Sequence, residues 1–149
     1  MSKARDLASF SSVADDLSRR NLIINGAMQV AQRGTSFTSA ITSGHFTVDR
    51  FKIQSTATDE LAVTTSQSTT VPSGQGFSSS IKIDVTTAES ALAADEMFRC
   101  IYKIEAQDLQ QLSYGTSDAK SLTLSFWVRS NVTGTYAWYA YQEDGVRVI

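Results

Sequence analysis

Ser80-Ile81-Lys82-Ile83-Asp84-Val85 sets Ile81, Ile83 and Val85 on one side of an extended chain and Ser80, Lys82 and Asp84 on the other. Successive side chains of a strand point to opposite faces, so this alternation predicts a half-buried strand. The same period recurs on both sides of it. Leu61 and Val63 mark a strand upstream, and Phe98, Cys100, Tyr102 and Ile104 share one face of a strand downstream. Phe46, Val48, Arg50 and Lys52 alternate with Asp49, Phe51 and Ile53 along what reads as one continuous strand, in which Asp49 and Arg50 face opposite sides and each is expected to meet a partner on a neighbouring strand or chain. Leu22-Ile23-Ile24 runs into the turn or bulge signal Asn25-Gly26, and Met28 and Val30 continue an alternating stretch that Arg33-Gly34 ends.

Further along, Leu122, Leu124, Phe126 and Val128 share a face opposite Thr123, Ser125, Trp127 and Arg129. A turn at Asn131-Val132-Thr133-Gly134 leads to a strand from Tyr136 to Tyr141, and Glu143-Asp144-Gly145 turns into Val146-Arg147-Val148-Ile149. Val71-Pro72-Ser73-Gly74-Gln75-Gly76 is a loop, and residues 107–114 read as a helical turn that Gly115 ends. Short strands at this spacing, without long helices between them, define a mainly β chain: an antiparallel jelly roll or β-sandwich. Its last residues, 146–149, look like a strand just beginning, so either a partner chain is expected to cover them or the β domain, residues 21–149, is expected to be incomplete at its C-terminal end.

Residues 1–20 follow a different period. Leu7, Phe10, Ala14 and Leu17 fall at the spacing of a short coiled-coil seam, and Ser12-Val13-Ala14-Asp15 matches a capping box. A helix this short needs something to pack against. These four residues are therefore the expected anchoring or oligomer interface of an N-terminal helical segment that precedes the β domain; the alternatives are a second short helix opened by that capping box and, weighed equally with the helical reading, a frayed terminus.

Composition narrows the functions. Formal charge is −2, with no basic excess to mark a nucleic-acid partner. No apolar run approaches the ~20 residues that span a bilayer, so membrane insertion is not expected. The single cysteine, Cys100, excludes an intrachain disulfide and a multi-thiolate metal site. His45 is the only histidine; no Gly-x-Ser-x-Gly elbow accompanies it, and it reads as an ordinary histidine at a strand edge. The acidic pairs Asp15-Asp16, Asp59-Glu60, Asp95-Glu96 and Glu143-Asp144 read as solvated turn residues, because neighbours on a strand diverge. No catalytic residue, metal or cofactor is assigned. Trp127, Tyr136, Trp138, Tyr139 and Tyr141 crowd into two consecutive predicted strands. They carry two readings: a glycan-stacking platform, or rings that fill a core or subunit interface, the second being favoured.

Two stretches also carry a resemblance. Asn21-Leu22-Ile23-Ile24-Asn25-Gly26-Ala27-Met28-Gln29-Val30-Ala31-Gln32-Arg33-Gly34-Thr35-Ser36-Phe37-Thr38, followed by Thr47-Val48-Asp49-Arg50-Phe51, resembles the opening of a domain common in bacteriophage tail fibres and related virion proteins. Ile104-Glu105 to Leu112, Gly115-Thr116, Leu122-Thr123-Leu124-Ser125-Phe126-Trp127-Val128-Arg129-Ser130 and Gly134-Thr135-Tyr136 look like its middle. Ser2-Lys3-Ala4-Arg5-Asp6-Leu7-Ala8 is similar to a short element of marine phage structural proteins. The resemblance implies a carbohydrate-binding-module-like jelly roll on a homotrimeric fibre, made in the host cytoplasm and built into the virion. Its partners would be other tail or capsid proteins and a host surface glycan. A head fibre or capsid decoration protein is the second expectation. A carbohydrate-binding module of a polysaccharide-degrading enzyme is the third. The family supplies no agreed catalytic residues to carry over.

Overall fold

The computed structural model describes residues 21–40, 44–56, 60–91, 93–142 and 147–148. The helical reading of residues 1–20, with Leu7, Phe10, Ala14 and Leu17, lies outside them. So do Asp59 and residues 143–146.

The chain is mainly β. Strands β1 (Ser36–Ala40), β4 (Ala62–Ser68) and β5 (Ser80–Thr87) form one antiparallel sheet in the order β1-β4-β5. Strands β2 (His45–Phe46), β3 (Phe51–Thr56) and β6 (Met97–Tyr102) form a second in the order β2-β3-β6. A 3-10 helix (Ala106–Leu112) follows, and β7 (Tyr141–Gln142) pairs with β8 (Arg147–Val148). Strand β5 covers the Ser80–Val85 alternation. Ile81 and Ile83 pack on the core; Val85, in the same register opposite Val63, is exposed, and a bulge between Ala62 and Val63 shifts the register just beyond it.

The sheets meet through their inward residues. Phe51, Ile53 and Ser55 of β3 and Val63 and Thr65 of β4 are buried, while Lys52 and Gln54 of β3 and Thr64 and Ser66 of β4, the residues between them, are half-buried. Ile53 and Val63 form the apolar centre, flanked by Leu61, Ile81 and Ile83. Hydroxyls bridge the rest: Thr65 Oγ1 lies 2.6 Å from Thr47 Oγ1 and 2.5 Å from His45 Nε2. At the border of the two sheets the Phe37 ring of β1 stacks on His45 of β2, centroids 4.0 Å apart.

Three sequence expectations change. The predicted strand through residues 46–53 is a hairpin: His45 pairs with Ile53 and Phe46 with Lys52. The reversal runs through residues 47–50, with Arg50 at φ +77° and Phe51 N–H donating to Val48 O at 3.2 Å. The predicted strand at residues 22–30 is a series of turns. Asn25 and Met28 both take left-handed backbone, and Met28 N–H donates to Asn25 O at 2.8 Å. Residues 121–140 keep their alternation but join no ladder among the described residues. An isolated extended segment has no backbone partner to hold it as a strand. The helical turn at residues 107–114 is present as the 3-10 helix, and its end falls at Ser113 (φ +53°), before Gly115.

Candidate functional site

The segment 21–33 carries much of the resemblance, and the structure shows what these residues do. The Asn21 carboxamide accepts the Ile23 N–H at 3.0 Å, which starts the first turn. Asn25 then ties two loops together. Its Nδ2 donates to Val30 O at 2.9 Å and to Asp49 O at 3.0 Å, and its Oδ1 accepts the Val30 N–H at 3.0 Å. The Asp49 N–H donates to Val30 O at 3.0 Å, and its carboxylate accepts the Gln32 N–H at 3.1 Å. Asp49 thus finds its partners on the turns of residues 30–32, not on a neighbouring strand.

Other ties fasten the same segment to both sheets. Gln67 of β4 donates through Nε2 to Met28 O at 2.7 Å and Gln29 O at 3.0 Å. The Tyr102 hydroxyl of β6 accepts the Ile24 N–H at 2.6 Å and donates to Leu22 O at 3.3 Å. The Asn-Gly turn and the Thr-Val-Asp-Arg-Phe turn are therefore halves of one polar clasp.

Beside the clasp lie two adjoining open hollows of about 300 and 260 Å³ that share Phe46 and Arg50. Gln32, Arg33 and Asp49 complete the first. Lys52, Ile101, Lys103 and Glu105 complete the second. The left-handed backbone of Arg50 turns its side chain out of the hairpin toward Tyr102, whose ring centre is 5.8 Å away, and toward Glu105, 3.4 Å away. Tyr102 first, then Glu105, hold this guanidinium above its ordinary pKa. The Arg33 guanidinium lies 4.9 Å over the Phe46 ring. Of these residues, sequence reading singled out Arg50 and Asp49. Phe46 was read as a strand residue, and nothing in its spacing tells that Arg33, Lys103 and Glu105 converge on it.

His45 is a packing residue in this geometry. Its Nε2 meets Thr65, its ring meets Phe37, and its Nδ1 is buried without a partner. Burial lowers its pKa below the ordinary 6.5. Cys100 is exposed along its strand, yet the protein packed near its sulfur pushes the thiol up to about 11. At neutral pH it is a thiol and a poor nucleophile. Among the described residues, no group of three His, Cys, Asp or Glu side chains gathers as a metal site would. No helix among them is long and apolar enough to cross a membrane.

The aromatic set stands apart from the clasp. Trp127, Tyr136, Trp138, Tyr139 and Tyr141 are all exposed, Trp127 by 64% and Trp138 by 62%. They do not fill the core of this chain. Tyr136 turns its hydroxyl to Ser130 Oγ at 2.7 Å and donates to Val132 O at 3.0 Å. Tyr139 reaches Met97 Sδ on β6 at 3.9 Å. Leu122, Leu124, Phe126 and Val128 are exposed as well. Comparison of the chain with protein-family models, with curated proteins and with solved structures returns no match.

Proposed function

We propose that this chain is a non-catalytic virion structural protein: the N-terminal, virion-attachment part of a bacteriophage tail fibre that serves host attachment. One observation carries the reading. The two motifs of the opening stretch, residues 21–38 and 47–51, are joined side chain to backbone by Asn25 and Asp49. A motif pair whose members hold each other is expected to persist for the fold it builds, which is how a structural family keeps a signature without an active site.

The exposed apolar run at 122–141 supports the assembled state. An apolar patch of this extent marks a surface meant for a partner. In the proposed fibre, residues 121–141 pair as strands, complete a jelly roll and are covered in a homotrimer, with Leu7, Phe10, Ala14 and Leu17 as the anchoring contact. Closed symmetry is the usual arrangement of identical chains.

The exposure of Trp127 and Trp138 also favours a second reading, a carbohydrate-binding module, since sugar rings stack on open aromatic faces. Imaging intact particles with a labelled chain tests the first reading. Label on the tail is expected, and label on the head assigns the chain to a head fibre or decoration protein instead. No label on any particle, together with binding of Trp127 and Trp138 to a glycan array, replaces the virion reading with the module. Deleting residues 2–20 is expected to leave the β domain folded and to abolish incorporation.

A further inference from the structure

We infer that residues 121–139 form an arm that adds a strand to the open edge of β6 on a second copy of this chain, laying Leu122, Leu124, Phe126 and Val128 over an uncovered part of that copy's core. The arm has no seat on its own chain. It is tied at its base, where the Lys120 N–H donates to Leu112 O at 2.9 Å, and at its end, where the Tyr139 hydroxyl lies 3.9 Å from Met97 Sδ. Every residue from 114 to 139 is exposed. Yet the arm is poorly suited to water. Between Lys120 and Glu143 it carries a single charged side chain, Arg129. Few charges and many aromatic rings are the composition of an interface centre.

The seat lies where the two sheets are open. They meet at β1 and β2, where Phe37 stacks on His45, so β5 and β6 are the edges away from that border. Residues directly opposite in an antiparallel ladder share a face. Phe98 stands opposite Ser55, Cys100 opposite Ile53 and Val85 opposite Val63. Ser55, Ile53 and Val63 are fully buried, whereas Phe98, Cys100 and Val85 on the same faces are exposed. Of the two outer strands, β5 has Ile81 and Ile83 packed and its Ile81 N–H against Met28 Sδ at 2.9 Å. Strand β6 has no backbone partner beyond β3 among the described residues. A free strand edge of this kind accepts a strand from another chain.

Arm and seat belong to the same chain, and that selects the occupant. A second copy brings an alternating stretch, residues 122–128, that matches β6 in length. The area is sufficient. Phe126, Trp127, Tyr136 and Trp138 are exposed by 62–64%. With Leu122, Leu124 and Val128 they offer roughly the 800 Å² that each partner contributes to a stable interface. Each arm passed to the next copy makes a head-to-tail contact, which closes into a ring. The inference deepens the assembly reading and rests on its self-association, not on tail, head or glycan.

The test is oxidation of the full chain with copper phenanthroline, which joins thiols standing within disulfide reach. Cys100 supplies one thiol, on the core face of β6. Leu124→Cys, Phe126→Cys and Val128→Cys each supply another on the apolar side of the paired arm, and Thr123→Cys and Ser125→Cys on the opposite side. All five positions are exposed, so the single chain keeps its fold. Disulfide-linked oligomers are expected on a non-reducing gel from at least one apolar-side variant. They are expected to be lost when Cys100→Ser is added, and to be absent from the opposite-side variants. Phe126→Asp is expected to lower the oligomeric fraction in light scattering, and Ser125→Asp to leave it unchanged. A disulfide within one chain, seen as a faster-migrating monomer, overturns the inference, because the arm then covers its own β6. Oligomers that no variant links through Cys100 overturn it too, and leave self-association standing on another surface. A chain that stays monomeric overturns both the inference and the assembled state beneath it, and gives the arm to a different protein.

Discussion

Residues 45–102 and residues 121–140 share the same alternation of apolar and polar side chains, yet only the first region contains strands joined in sheets. In the first, β3 lies between β2 and β6, and its Ile53 is fully buried against Val63. In the second, Leu122, Leu124, Phe126, Val128 and Trp127 are all exposed. The difference teaches that alternation is a property of one segment, whereas a strand belongs to a pair. Burial of apolar surface and closure of backbone hydrogen bonds both need a neighbour, and the early region supplies its own.

The sharpest test of this contrast is Ile53→Ala. Deleting most of a fully buried side chain is expected to cost about 2–5 kcal/mol, read as a lower midpoint in urea unfolding. A near-neutral result would mean that the two sheets do not depend on their shared centre.

The clasp comes next. Asn25→Ala removes three side-chain hydrogen bonds and puts alanine at φ +60°, with an expected loss of about 1–2 kcal/mol. Asn25→Gly relieves the backbone and not the hydrogen bonds, so it is expected to recover part of the loss. If Gly is as costly as Ala, the bonds carry the whole effect.

A smaller effect is expected from pH. The His45 pKa is lowered in the folded chain by burial, below the ordinary 6.5. The unfolded chain therefore takes up its proton first as pH falls. Stability contributed by the neutral ring is full above 6.5, declines as pH drops through 6.5 toward the folded value, and is lost below it. His45→Gln is expected to flatten that part of the stability–pH curve, measured by urea unfolding across the range.

The smallest effect on the single chain is expected at Trp127. Trp127→Ala removes an exposed ring, so unfolding of the monomer should change by no more than about 0.5 kcal/mol. In the proposed homotrimer, light scattering should instead show a smaller trimeric fraction. A loss comparable to that of Ile53→Ala would place Trp127 in a core and end the contrast between the two regions.

The sequence foretold some of these features and not others, for reasons visible residue by residue. Strands β4, β5 and β6 were legible because Val63, Ile81, Ile83 and their polar neighbours obey a simple period. The β2–β3 hairpin was not, because Phe46 to Ile53 keeps that period through a reversal that only the left-handed Arg50 reveals. Asn25-Gly26 announced a turn, but the carboxamide that holds Val30 and Asp49 acts across loops that sequence order keeps apart. The hollows were hidden for the same reason. Arg33, Phe46, Arg50 and Lys103 come together only where the turn at Arg33 meets the β2-β3-β6 sheet.

Thr65 imposes one more condition, on where protons sit. Its single hydroxyl lies between Thr47 Oγ1 and His45 Nε2, and it can donate to only one of them. If it donates to the imidazole, the neutral ring must carry its hydrogen on Nδ1, the atom buried without an acceptor. If the ring donates to Thr65 instead, Nδ1 is a bare lone pair, and the Thr65 hydroxyl is free to donate to Thr47. Gaining a proton leaves His45 no choice: Nε2 then donates to Thr65 Oγ1, and either hydroxyl can donate in the Thr65–Thr47 contact. The contact between the two sheets thus has a direction as well as a geometry, and the tautomer of one ring decides which way it runs.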